Sequence, residues 1–472
     1  MKRKERLVLS IVALILVASM ILTACAPAPA PAPAQQPAAA AATTAPAAAE
    51  PTKAPAAAAA KPFPTENITL SIWGGFPEIQ PVYEKAAAEY KKLHPNVTIN
   101  VLTAPLREFE QKMAATIPAD SAGDILEANP FALNKFIAAG MLPPVPDDIV
   151  QWMTAQGRFS DALVNNNKLK DKYYGVPYLV GRHAIYYNTD MFAAAGLPNG
   201  PQTMDDLRNF AKKLVKTDAA GTMTNSGVSM RLSGAGSGVA EKFWMYLYPM
   251  GGSIIEQTKS GKWHNNYDNE AGLNTLQMYM DIVWKDKTDN HQIKHDTEAF
   301  QLGQTAMYAR ESSVIGSIAK NTPNLKYATV PMPKGVRWGD LANGENLYVT
   351  KNSKYPEVAW DVVKFLQSDA MLQELLKVSG WLPQRQDADL KAILDSQPAY
   401  KSFLFSDPNY KLFVYPMLPE YDEIQTKMAE RLVRIYLDEK LANDPVALKK
   451  ALSEMAKETD DILKRNNNYG TD

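Results

Sequence analysis

Apolar and polar residues alternate along Ile68-Thr69-Leu70-Ser71-Ile72, the pattern of a strand with one buried face, and Trp73-Gly74-Gly75-Phe76 interrupts it. Pro81 suits the first turn of a helix whose Val82, Ala86, Tyr90 and Leu93 share a face. His94-Pro95-Asn96 stops that helix, and Val97, Ile99 and Val101 alternate as the next strand. Such a βαβ unit predicts a parallel pair with a right-handed crossover. Leu106, Phe109, Met113 and Ile117 mark a second helix, residues 124–128 a short buried strand, and Leu133, Phe136 and Ile137 a third helix ending at Gly140. An open α/β sheet binds ligands beyond the carboxyl ends of its strands, so residues 73–78 and 127–131 are expected at one cleft.

A second α/β region follows. Residues 176–187 form a long extended stretch, and residues 191–195 and 204–215 read as helices, with Thr203 as the N-cap ahead of Asp205 and Asp206. Residues 227–232 are expected as a strand, followed by the loop Gly234-Ala235-Gly236-Ser237-Gly238 and a helix containing Phe243, Trp244 and Tyr246. Strand returns at Leu347-Tyr348-Val349 and helix at residues 358–366; Ile424, Met428, Leu432 and Ile435, then Leu448, Leu452, Met455 and Ile462, form apolar stripes on closing helices. No repeat of 20 to 50 residues is evident.

The N-terminus changes the picture. Lys2-Arg3-Lys4-Glu5-Arg6 precedes an apolar run from Leu7 to Leu22, the layout of a secretory signal and too short and one-sided for a permanent span. Leu22-Thr23-Ala24-Cys25 resembles the lipobox of bacterial lipoproteins, which implies lipid modification of Cys25 and an extracytoplasmic chain anchored to the cell membrane. From Ala26 to Ala60, 28 of 35 residues are Ala or Pro, a composition that cannot bury enough surface to fold and is expected as a disordered tether over 26–65. At 472 residues, the chain is long enough for two or more domains. Its single cysteine excludes an internal disulfide framework or CxxC pair. The net charge of −1 argues against a nucleic-acid partner. Without residues 1–65 the balance is 44 positive against 49 negative, an ordinary soluble surface.

Several motifs, in order and spacing, carry a family resemblance: Tyr174-Gly175-Val176-Pro177-Tyr178; Tyr186-Tyr187-Asn188-Thr189-Asp190-Met191-Phe192; Pro201-Gln202-Thr203-Met204; Gly251-Gly252; Phe300-Gln301-Leu302-Gly303-Gln304-Thr305-Ala306-Met307; and Gly380-Trp381-Leu382-Pro383-Gln384-Arg385. Over residues 66 to about 465 the chain resembles the family 1 extracellular solute-binding proteins, receptor components of ABC importers, and is similar to the maltose-binding-protein group. The resemblance implies a periplasmic-binding-protein-like type II α/β fold: two discontinuous lobes, 66–180 with 335–378 and 181–334 with 379–472, hinged about a ligand cleft. It also implies a monomer that captures a carbohydrate by lobe closure and delivers it to permease subunits, with no cofactor. Crossings between lobes are expected near 179–185, 331–341 and 376–383. The chain departs from the family in having Gly123 before Asp124 where proline is usual, and Arg310-Glu311-Ser312-Ser313 where an aromatic often follows the Ala-Met element.

A sugar presents hydroxyls in a plane and apolar C–H faces, so its site needs aromatic platforms and planar polar partners. Trp73, Phe76, Trp244 and Trp381 are the candidate platforms; each could instead pack in a core. Glu78, Glu127, Asn129, Glu241 and Glu345 are the polar candidates, against a role as solvated surface. Arg182 and His183 on the first crossing, and Arg310 and Glu311, complete the set; if both arginines face the cleft unpaired, an acidic sugar or sugar phosphate is favoured. The glycine-rich loop lacks the features of a P-loop or dinucleotide fingerprint and reads as a turn at the cleft wall. His291 and His295 are spaced for one helical face, but their charged surroundings show no third neutral ligand, and no metal is assigned. No GxSxG elbow is present. Two other functions remain open: an exported glycoside hydrolase using paired carboxylates, and a cell-wall glycan-binding adhesin.

Overall fold

The computed structural model describes residues 63–234, 236–293 and 296–472. The signal segment, Cys25 and the Ala/Pro stretch lie outside the described residues, as does His295.

The predicted βαβ unit forms. Ile68–Gly74 pairs in parallel with Val97–Thr103, and Gln80–Leu93 is the crossover helix. Ile68, Leu70, Ile72 and Gly74 alternate onto a buried face. Val82, Tyr83, Ala86 and Tyr90 are buried on the helix, whereas Leu93 is exposed in its last turn. Ile125–Ala128 joins the other side of Ile68–Gly74, also in parallel. Asn343–Val349, Val176–Gly181 and Leu382–Pro383 then add antiparallel, completing a mixed six-stranded sheet.

A second sheet has three antiparallel strands, with His183–Asn188 between Met307–Glu311 and Tyr327–Pro331. The extended stretch read over 176–187 is thus two strands in different sheets, with Arg182 alone between them. The chain returns from Tyr327–Pro331 to Asn343–Val349 by way of Gly339–Leu341, which pairs with Lys411–Phe413. Ile72, Tyr178, Leu347 and Trp360 belong to one core, and Leu207, Phe243, Tyr279 and Leu432 to another. Among the described residues no helix is long and apolar enough to cross a membrane.

Two boundaries differ from the sequence reading. Leu382–Pro383 pairs with Val180 and Leu179, which keeps this segment on the large sheet beyond the boundary expected at residue 378. The strand expected at 227–232 is reduced to isolated bridges from Ser226 to Thr305 and from Ser229 to Tyr308. Its Met230 N–H donates to the Asp289 carboxylate rather than to a neighbouring strand. At Gly227 the backbone passes so close to the helix Met204–Leu214 that a Cβ would lie 2.0 Å from the Ala211 carbonyl oxygen.

Candidate functional site

The carboxyl ends of Ile68–Gly74 and Ile125–Ala128 open onto a cavity of about 430 Å³, within the roughly 300–1,000 Å³ usual for small-molecule sites. Phe76 and Glu78 come from the turn after the first strand; Glu127 ends the third, and Asn129 caps the helix Pro130–Ala138 by accepting from the Phe131 N–H. Glu345, on Asn343–Val349, reaches in from the neighbouring antiparallel strand. Trp381 enters just before the edge strand, its ring centroid 5.0 Å from Phe76, and donates its indole N–H to Glu78 Oε1 at 3.1 Å. From the small sheet and the helix Gly238–Met250 come Arg310, Glu311 and Glu241. Nine of the thirteen candidate ligand residues therefore line one cavity.

Electrostatics divides this cavity. Glu127 is fully buried; burial, chiefly, with repulsion from Glu78, raises its carboxyl to about 8 against the hydrogen bond that Tyr83 O–H donates at 2.7 Å. Glu345 is raised well above the carboxylate range by burial and by Glu127. Glu127 Oε1 and Glu345 Oε2 are buried without a hydrogen-bond partner in the ligand-free chain. Across the cavity, burial works on Glu311 in the same direction, but Arg310, Lys242 and His183 hold it well below the usual range.

Four candidates lie elsewhere. Trp73 precedes Gly74 on the strand, and the period of two turns its ring onto the opposite face, against Gly123 and beneath the Lys112 ammonium at 4.5 Å. Trp244 packs among Phe413, Tyr415 and Tyr421, since its helix is buried on nearly every side. Arg182 pairs with the buried Asp340 at 2.8 Å and borders a separate cavity with Leu382 and Phe403. His183 sits behind Glu311: its Nε2 is 2.9 Å from Glu311 Oε1 and its Nδ1 3.0 Å from the Leu341 carbonyl. Burial and Lys242 push this imidazole down, but Glu311 and Asp340 outweigh them and carry it up to about 9.

Neither arginine is unpaired, which removes the condition that favoured an acidic solute. Arg310 lies 3.0 Å from Glu311 Oε2 and 3.8 Å from Asp296. Among the described residues, His183, Glu241 and Glu311 come nearest to a metal site, their ligand atoms within 4.8 Å of one another. The Lys242 ammonium, 3.7 Å from both carboxylates, already supplies a cation there.

Sequence reasoning missed Arg107, Glu110, Arg231, Asn343 and Tyr415, which also line the cavity. Arg107 bridges it, pairing with Glu110 at 2.5 Å and donating to Ser237 Oγ at 2.9 Å. Ser237 and Gly238 of the glycine-rich loop line the cavity, and the reason for glycine at 236 is visible: a Cβ there would fall 2.1 Å from the Arg107 guanidinium. Tyr415 O–H donates to Glu241 at 2.6 Å, from a segment with no periodicity to single it out. Arg107–Glu110 is a local i,i+3 pair, but the contacts of Arg107 with Ser237 and of Tyr415 with Glu241 each span more than a hundred residues, so local pattern carries no trace of them.

Residues 85–402 match the family profile described as bacterial extracellular solute-binding protein, and the chain belongs to that family. A binding protein of Brucella abortus is 24% identical over 401 residues, 82% of this chain and 90% of that one. The diacetylchitobiose-binding protein DasA of Streptomyces coelicolor is 21% identical over 67% of this chain and 72% of its own length. An ABC-transporter solute-binding protein of Thermotoga lettingae, solved with α-D-tagatose, superposes with a TM-score of 0.72 at 21% identity over 84% of this chain and 99% of that one. The GacH receptor of Streptomyces glaucescens, solved unliganded and in complex with acarbose, does so at 0.68 and 19% identity, over 84% and 98%. The fold is the type II periplasmic-binding-protein fold, with two discontinuous α/β lobes about a cleft.

Proposed function

We propose that this chain is the receptor of an ABC importer, capturing a carbohydrate outside the cytoplasm by lobe closure and passing it on chemically unchanged. The observation that carries this reading is the Phe76–Trp381 corner beside Glu78, Glu127, Asn129 and Glu345 in one cavity, an apolar platform flanked by planar polar groups. The oligosaccharide names of several relatives support it. The two lobes, each built on one sheet, close about the passages at Arg182 and at residues 331–343. Turning a roughly 1:99 population of closed form into 99:1 requires about 5.5 kcal/mol of differential affinity. A micromolar solute releases about 8 kcal/mol in all, so binding suffices to drive closure. The receptor acts as a monomer, tethered through Cys25, and performs no catalysis.

Titrating the purified chain with labelled oligosaccharides tests this. The expected result is a saturable rise in melting temperature and a more compact scattering profile, with the saccharide recovered intact. Hydrolysis products would assign the carboxylates to glycosidase chemistry; binding without compaction would make the chain an adhesin.

A further inference from the structure

Resting on the carbohydrate reading above, the charges lining the cavity specify what kind of saccharide it is. Every arginine there already faces acid: Arg107 faces Glu110, Arg231 faces Asp296, and Arg310 faces Asp296 and Glu311. The opposite wall is different. Glu78, Glu127 and Glu345 have no lysine, arginine or histidine within ion-pair distance among the described residues; their partners are the neutral donors Trp381, Tyr83 and Asn129. Two of these carboxyls, 0% and 3% exposed, keep an oxygen without a hydrogen-bond partner. We propose that this wall receives a protonated amine, and that the captured solute is an amino sugar or an oligosaccharide containing one.

The choice between an amine and a hydroxyl follows from charge. A sugar hydroxyl satisfies one orphaned oxygen but brings no positive charge against which these carboxyls could ionise. An ammonium group brings three N–H donors and the missing positive charge together, and charge-assisted hydrogen bonds are roughly twice as strong as neutral ones. The Phe76–Trp381 corner adds ring faces, which attract a cation by their quadrupole. Trp381 also fixes Glu78 at the edge of that corner. Burial, with repulsion from Glu78 on Glu127 and from Glu127 on Glu345, raises both carboxyls toward the protonated form, and an ammonium group pairing with them takes the place of a proton they release. An acidic sugar meets the opposite situation, since it would have to displace carboxylates from the arginines before pairing with them.

The test is calorimetric titration of the purified chain with matched series: glucosamine and its β-1,4-linked di- and trisaccharides against glucose, cellobiose and cellotriose. The expected result is that an amine-bearing member binds at least about tenfold tighter than its hydroxyl counterpart. Glu127→Gln and Glu345→Gln should each reduce that preference by about tenfold or more, without lowering the melting temperature of the solute-free protein, because each removes a carboxyl that nothing compensates. Equal or tighter binding of the neutral series overturns the amine proposal and leaves carbohydrate capture standing. If no saccharide of either kind binds, both fall. A glutamine variant that loses stability while keeping the amine preference would make the carboxyls structural and overturn the proposal.

Discussion

Two tryptophans on cavity-bordering elements show how a single residue's role is decided. Trp244 stands one helical turn after Glu241, and its ring turns away from the cavity into a cage of Phe413, Tyr415 and Tyr421. Trp381 lies in a segment between a helix and a two-residue strand, where its ring borders the cavity. Truncating Trp244→Ala is expected to destabilise the protein by about 3–5 kcal/mol, the range for emptying a buried tryptophan site, which denaturant unfolding at constant m-value would show. A loss below about 1 kcal/mol would mean that the cage does not depend on this ring. Both tryptophans looked alike in sequence, as aromatics near expected cleft edges, because the direction of a side chain depends on which neighbours surround its element. Trp73 shows the same limit: its place at a strand end was legible, but the face its ring covers follows from strand parity against Gly123.

Elements were more legible than side chains. The first βαβ unit, the N-cap at Thr203 and the helix Met204–Leu214 all follow from local rules; the Thr203 hydroxyl accepts from the Asp206 N–H and the Asp206 carboxylate accepts from the Thr203 N–H, closing a capping box. The break at Arg182 falls inside the crossing that the family resemblance implied near 179–185, but the hydropathy pattern does not mark it, because His183–Asn188 continues the same apolar run while changing sheets. What divides the two strands is tertiary: the Asp340 carboxylate accepts from both the His183 N–H and the Arg182 guanidinium at the second passage between the sheets. The segment at 227–232 failed as a strand for a comparable reason, since the backbone is pressed against Ala211 and anchored to Asp289. Gly227→Ala should therefore be costly, because its methyl would meet backbone rather than a movable side chain. The expected loss is about 2–3 kcal/mol, typical of overpacking, read as a lowered denaturation midpoint. A neutral outcome would show that the helix can move aside.

For the whole molecule, the buried titratable groups set how stability responds to pH. Glu127 and Asp289 are raised to about 8 and about 7, in each case mainly by burial, so the folded protein binds more protons than the unfolded chain across the intervening range. Stability then falls as pH rises through that window. His183, carried up to about 9, contributes stability that is complete below its unfolded value near 6.5 and is lost as pH climbs past 9. Glu311, held low, contributes fully at every pH above the ordinary carboxylate range and does not oppose this trend; Lys242, lowered by burial, does. The melting temperature of the solute-free protein is expected to be several degrees higher at pH 6 than at pH 9 by scanning calorimetry, and a rise toward alkaline pH would contradict the assignment. What the sequence alone determined is the first βαβ unit, the main helices and nine of the residues around the cavity, because periodicity, caps and loop positions at strand ends are local properties. Tertiary structure alone decided which sheet each strand joins, which aromatics face the cavity, and that Arg182 and Arg310 are neutralised by Asp340, Asp296 and Glu311. Those outcomes depend on groups brought together across the chain, and the energy of a charge or a ring is fixed by its surroundings rather than by its place in line.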